Sequence, residues 1–142
     1  MLRQLGVGSL LIVATVAIHA ACTVGVLRLF TLSSDRRWNV GPRAWRVALL
    51  ATYVLLLCYT SLLEAAVWAV AYVMVGAIES IEPAMYFSTV TFTTLGYGDL
   101  VVDDRWRLLA ATQAATGIIM FGWTTAIVVA LLQHVSRHEN PS

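Results

Sequence analysis

The chain contains no lysine. All nine basic residues are arginine, and charged residues fill only 12% of the 142 positions. A soluble domain carries charge at about a quarter of its positions, so this composition argues against one. A net charge of +1 leaves no electrostatic basis for gripping a polyanion, and no nucleic-acid partner is expected. The two cysteines, Cys22 and Cys58, both lie inside apolar runs. There they read as small buried hydrophobes rather than a disulfide framework. No His/Cys/acid cluster has metal-ligand spacing, and Ser61 and Ser88 lack a recognisable base partner. Neither an enzyme nor a cofactor is therefore expected. Arginines at three-residue spacing within a span are missing too, which excludes a voltage sensor of that kind. With no internal repeat, low-complexity tract or linker, the chain reads as one membrane domain.

What is abundant is hydrocarbon: 59% of residues are hydrophobic. A spanning helix needs about 20 mostly apolar residues. Three runs qualify, residues 5–32, 45–77 and 107–133, the second long enough to tilt or to project beyond the bilayer. Residues 33–46, "SSDRRWNVGPRAWR", carry Arg36, Arg37, Arg43 and Arg46, with Arg28 nearby. Short Arg-rich loops stay cytoplasmic, and Trp38 and Trp45 are placed to anchor at that interface. Pro42 suits the first turn of the second helix. The N-terminus is then outside, residues 78–105 outside, and the tail "SRHENPS" cytoplasmic. The opening "MLRQLGVGSLLIVATVAIHAAC" resembles an export signal. His19 occupies a place where a lipidated leader wants an aliphatic residue, however, and cleavage would invert the loop charges. The run is read as a retained helix.

Residues 78–105 are too polar to span and too apolar for a plain loop. "EPAMYFSTVTF" reads as a short helix over 83–93, with Pro83 in its first turn and Glu79 and Glu82 at its positive end. It reaches about 16 Å, halfway into a bilayer, and the chain must return as "TLGYGD". Non-helical backbone at that depth survives only where protein buries it or water lines it. A bare cation there would cost tens of kcal/mol, on the order of a Born estimate. Carbonyl oxygens can replace its water if successive ones point the same way. Gly96 and Gly98 accept positive φ, so alternating handedness can align the carbonyls of Thr94, Leu95, Gly96 and Tyr97, with the Thr94 hydroxyl adding an oxygen. Leu95 and Tyr97 then pack behind the oxygens. Asp99 sits at the mouth within reach of a donor such as Tyr86.

At these residues "TTLGYGD", 93–99, resembles the potassium-channel signature, with Leu95 where Val is usual. "AMYFSTVTF" looks like the pore helix and the third span like the inner helix. The resemblance covers residues 45–135 and is to the small bacterial channels with two helices around a pore loop. It implies an all-α membrane protein in a bacterial inner membrane, with three transmembrane helices and a re-entrant pore helix and filter loop between the second and third. The parts are an extra N-terminal helix at 1–33, a cytoplasmic Arg-rich loop at 34–44, a pore domain at 45–136 and a tail at 137–142. Within the pore domain the outer helix is 45–77, the pore helix 83–93, the filter 94–99 and the inner helix 106–134. The resemblance further implies that potassium ions bind at Thr94, Leu95, Gly96, Tyr97 and Gly98. Thr93, Asp99 and Tyr86 would support the filter, and Gly117 and Gly122 would hinge the inner helix. Val90 stands where some members carry a carboxyl behind the filter, and residues 1–32 have no counterpart in the minimal channel.

One loop offers one carbonyl per level, whereas a caged ion needs about four, so a pore requires a ring of four chains. A single-chain transporter would need four such loops. Glu79, Glu82, Asp99, Asp103 and Asp104 would make the mouth acidic. Three polar residues inside spans remain: His19, Glu64 and Gln113. Glu64 is expected to pair either with Gln113 or with a polar residue of the first span, as a structural hydrogen bond or a pH-linked site. Gly117 is either a hinge or a close helix contact, and Trp123 either packs on a neighbouring helix or narrows the pore. Beyond a potassium-selective homotetramer, two readings stay open: a weakly selective cation channel, and a non-conducting scaffold that keeps the pore fold.

Overall fold

The computed structural model describes residues 2–37 and 43–139. Four α-helices follow in order: α1 Leu2–Arg37, α2 Arg43–Met74, α3 Ile81–Phe92 and α4 Arg107–Glu139. Among the described residues there is no strand. Three helices are long and apolar enough to cross a membrane, over Leu2–Leu32, Val47–Met74 and Arg107–Gln133. The 12 residues of α3 reach about 18 Å, short of about 30 Å of hydrocarbon. The fold is therefore all-α, with a short helix and a loop set between the second and third long helices.

Helix ends differ from the sequence expectation for identifiable reasons. No Gly or Pro occurs between Gly25 and Gly41, and α1 runs on to Arg37, past its expected end at 33. Likewise α4 continues to Glu139, because nothing between Gly122 and Pro141 breaks a helix. α2 stops at Met74 rather than 77. Gly76 takes φ 72, and the amides of Gly76 and Ala77 bond to the carbonyls of Val73 and Tyr72 at 3.0 and 2.9 Å. That is a Schellman turn, whose left-handed residue glycine supplies without a Cβ penalty. α3 starts two residues earlier than expected. Ser80 is its extended N-cap and Glu82 lies in the first turn, where the helix dipole favours an acid. The placements of Trp38, Pro42 and residues 140–142 lie outside the described residues.

Contacts along α1 set the topology. Its start meets the start of α4, with Arg3 over the Trp106 ring at 5.6 Å. Its far end shares a core cluster, Val26 and Phe30 with Tyr53, Leu57 and Leu131. α1 thus runs parallel to α4 and antiparallel to α2. A second, larger core joins all four helices around Trp68, Tyr72, Phe87, Phe92, Leu109 and Met120. α3 enters that core through Ala84, Phe87, Ser88 and Phe92, spaced along one helical face.

Lipid tails are as apolar as leucine, so packing and interhelical hydrogen bonds hold such helices together. The Tyr72 hydroxyl donates to Gln113 Oε1 at 2.9 Å, and Gln113 Nε2 donates to Ser88 Oγ at 2.6 Å. Ser88 Oγ in turn donates to the Ala65 carbonyl. This chain of bonds leaves α2, crosses α4 and α3, and returns to α2, with all three polar side chains fully buried. On the other side, Trp68 Nε1 donates to Thr15 Oγ1 at 2.9 Å and fixes α1 against α2. Gln113→Ala would strand the buried Tyr72 hydroxyl and remove both bonds that Gln113 Nε2 makes to Ser88, to its Oγ and its carbonyl. A loss of about 1–3 kcal/mol is expected, read as a lowered midpoint of unfolding in detergent. Tyr72→Phe should cost less, since it leaves the Gln113–Ser88 bonds intact, and equal midpoints for Gln113→Ala and the parent would remove the network from the stability account.

Candidate functional site

The loop after α3 begins by using up that helix's last carbonyls. The Thr93 amide bonds to Thr89 O at 3.0 Å, Thr94 to Thr91 O at 3.0 Å, and Leu95 and Gly96 both to Val90 O at 3.0 and 3.3 Å. The Thr93 hydroxyl adds bonds to Thr89 O at 2.8 Å and Val90 O at 3.2 Å. Four consecutive amides are thereby turned back onto α3. Among the described residues no protein donor bonds the carbonyls of residues 94–98.

Backbone handedness alternates along this stretch. Thr94, Gly96 and Gly98 have φ of 60, 55 and 79°, every second residue from 94 to 98. Alternation of this kind allows successive carbonyls to face one side, which the regular pleat of a strand does not. The two glycines were legible from sequence; Thr94 was not. A β-branched residue at positive φ is strained by about 1–3 kcal/mol, and nothing in its side chain announces that conformation. The strain is tolerated because the bonds to Val90 O and Thr91 O fix the chain on both sides. Residues 93–99 are all exposed in the single chain; Leu95 and Tyr97, expected to pack behind the oxygens, are 56% and 67% exposed.

The loop's outer end is tied down as well. The Tyr86 hydroxyl donates to Asp99 Oδ2 at 2.6 Å, joining the two residues that the sequence paired. This bond holds the Asp99 carboxyl below its ordinary pKa and, by favouring the protonated phenol, pushes Tyr86 up. Asp103 and Asp104 pair instead with Arg105 at 3.1 Å and Arg107 at 2.8 Å, so that among the described residues Glu79, Glu82 and Asp99 are the acids between α2 and α4 outside an ion pair.

Depth follows from Gly117, about 15 Å along α4 from Arg107. A Cβ on Gly117 would stand 1.9 Å from the Phe92 carbonyl oxygen, so the C-terminal end of α3 lies directly on α4 there. Gly117 is thus a close contact, and α4 is continuous through it. At Gly122 a Cβ would meet nothing within 4 Å. The three intramembrane polar residues divide between two places. Gln113 belongs to the network with Tyr72 and Ser88, whereas Glu64 Oε1 lies 2.8 Å from His19 Nδ1 of the first span. Of the two partners open to Glu64, the structure supplies the one on α1. Trp123 packs on that helix too, its ring 5.2 Å from His19. Ser88, dismissed by sequence as a nucleophile, is the hub of the buried network. The available signal was a hydroxyl on the apolar face of α3, which in a membrane has to find a partner.

Three spanning helices with a half-length helix and a glycine-bearing loop folded back between the last two define a class of multi-pass membrane protein. Residues 58–134 match the ion channel family, over half of the chain, and the protein belongs to it. A Rhodopseudomonas palustris protein provisionally named as a potassium channel protein is 30% identical over 124 residues, covering 81% of this chain and 30% of that protein. The chain thus spans less than a third of the length of this relative. No solved structure matches the chain.

Two outcomes follow from this geometry. Gly117→Ala drives a methyl into backbone and should destabilise the fold by about 1–3 kcal/mol, while Gly122→Ala should leave the unfolding midpoint in detergent within about 0.5 kcal/mol; equal effects would contradict the contact. The Tyr86–Asp99 bond requires an ionised acid and a protonated phenol. Its contribution is present above the ordinary Asp range, lost as pH falls through the lowered Asp99 value, and lost again as pH rises through the raised Tyr86 value. In Tyr86→Phe the Asp99 carboxyl signal in carbon NMR should titrate at higher pH than in the parent, and an unmoved titration would show that the bond does not hold Asp99 ionised.

Proposed function

We propose that this protein is a potassium-selective channel, a ring of four identical chains around an axis lined by residues 94–98. The observation that carries this reading is the alternation of positive φ at Thr94, Gly96 and Gly98 beside four amides paired with α3. A backbone so turned offers its carbonyls as a substitute for a cation's water. Each chain supplies one oxygen per level and a caged ion takes about four, so the site is incomplete in one chain. The exposure of Leu95 and Tyr97 fits the same assembly, since a neighbour's surface can cover them.

Ions then move down their gradient without catalysis, each shedding water for carbonyls and pushing the next by charge repulsion. Glu79, Glu82 and Asp99 attract cations at the outer end. α4 lines the cavity, α2 lies outside it and α1 packs at the periphery. The Arg-rich segment between α1 and α2 faces the cytoplasm, which puts the loop and the start of α1 outside, in the inner membrane of a bacterium.

Potassium flux into liposomes tests this directly. Gly96→Ala forces a Cβ into φ 55° in every copy, at about 1–2 kcal/mol each. Flux should fall by more than about tenfold with the tetramer retained, and the parent's bi-ionic reversal potential should favour potassium over sodium. Undiminished flux in Gly96→Ala would overturn the filter assignment. A reversal potential near zero would favour a weakly selective cation pore, and silence of the parent at all pH values and tensions a scaffold.

A further inference from the structure

We infer that His19 and Glu64 form an intramembrane proton-binding site that couples proton occupancy to the hold of α1 on the pore-domain helices. His19 on α1 and Glu64 on α2 are both fully buried, with Nδ1 and Oε1 2.8 Å apart. Among the described residues, Glu64 Oε2 is buried without a hydrogen-bond partner. On the other side of the ring, Thr124 Oγ1 of α4 stands 3.4 Å from Nε2, and the Trp123 ring closes over the imidazole. Three helices thus meet at one pair of titratable groups.

Among the described residues no other charged side chain pairs with His19 or Glu64. α4 brings no ionisable side chain between Arg107 and Gln133. On α2 the remaining ionisable groups of the span are Tyr53, Cys58, Tyr59 and Tyr72, and on α1 Cys22 is a turn away, with Arg3 and Arg28 toward the two ends. The nearby titratable side chains of α3, Glu82 and Tyr86, belong to its outer half. With one proton between them, His19 and Glu64 are neutral overall and bonded. Loss of that proton leaves a buried carboxylate with Oε2 unpartnered among the described residues, and gain of a second leaves an imidazolium beside a neutral acid. Either state buries a net charge, which membrane interiors resist.

The Thr124 hydroxyl carries the change to α4. A neutral imidazole with its proton on Nδ1 accepts at Nε2, so the hydroxyl donates; an imidazolium donates there, so the hydroxyl must accept. The proton site stands on the geometry alone, but its consequence for ion flow rests on the reading of α4 as the pore-lining helix.

The test is carried out on the full chain in liposomes between about pH 4 and pH 10. Infrared difference spectra should show a carboxyl band that changes with pH and is missing in Glu64→Gln. Potassium flux of the parent should change at least about tenfold over the same interval, while Glu64→Gln should conduct at one pH-independent level. If Glu64→Gln fails to assemble, the exchange of both residues, His19→Glu with Glu64→His, rebuilds the pair and should restore a pH-dependent flux and band. A carboxyl band constant with pH would overturn the site, as would a Glu64→Gln flux that follows the parent's pH curve. A band that titrates in a parent without flux at any pH would support the site and sink the conduction reading instead.

Discussion

Backbone amides and carbonyls at mid-membrane depth have no water to turn to, and that constraint organises this protein. A helix meets it internally, whereas a loop cannot. The loop at 93–98 meets it by borrowing: its first four amides take the carbonyls of Thr89, Val90 and Thr91, which the end of α3 would otherwise leave bare. The loop's own carbonyls are then the groups without a protein partner.

The surrounding helices hold α3 and this loop in place. Ser88 bonds to α2 and Gln113 of α4 bonds to Ser88, while the missing side chain of Gly117 lets the Phe92 carbonyl rest on α4. Individual hydrogen bonds in membranes are worth only about 0.6 kcal/mol on average. Their effect here comes from fixing register, because each polar group has one place where it is satisfied. The Tyr86–Asp99 bond applies the same logic at the loop's outer end, where the groups are exposed and the bond depends on both remaining in their ordinary charge states.

α1 is attached by the same kind of contact. Trp68 with Thr15 and His19 with Glu64 give it two polar fixings to α2, and Trp123 and Thr124 bring α4 to the same level. A purely apolar helix could slide or rotate against its neighbours at little cost; these pairs select one register. α1 is therefore held to α2 and α4 by specific contacts, and its Leu11, Val26 and Phe30 share their core clusters.

The three spans, the half-length helix and the glycine-bearing loop follow from sequence, because hydrophobic run length and the φ freedom of Gly96 and Gly98 are local properties. So does the pairing of Tyr86 with Asp99, since both had to stand at the same end of a short insertion. The helices run to Arg37 and Glu139, beyond the apolar runs, because residues such as Arg, Gln and Glu continue a helix as readily as apolar ones do. Three matters depended on the fold in space. Glu64 had two partners open to it, and the choice of His19 over Gln113 depended on which helix faces which. Nothing in the sequence tells that the Phe92 carbonyl lies against Gly117, which only the packing of α3 on α4 reveals. The left-handed Thr94 is imposed by hydrogen bonds from a neighbouring helix turn. In each case a residue's own chemistry limits what it can do, and only its neighbours across the fold decide which option has the lower free energy.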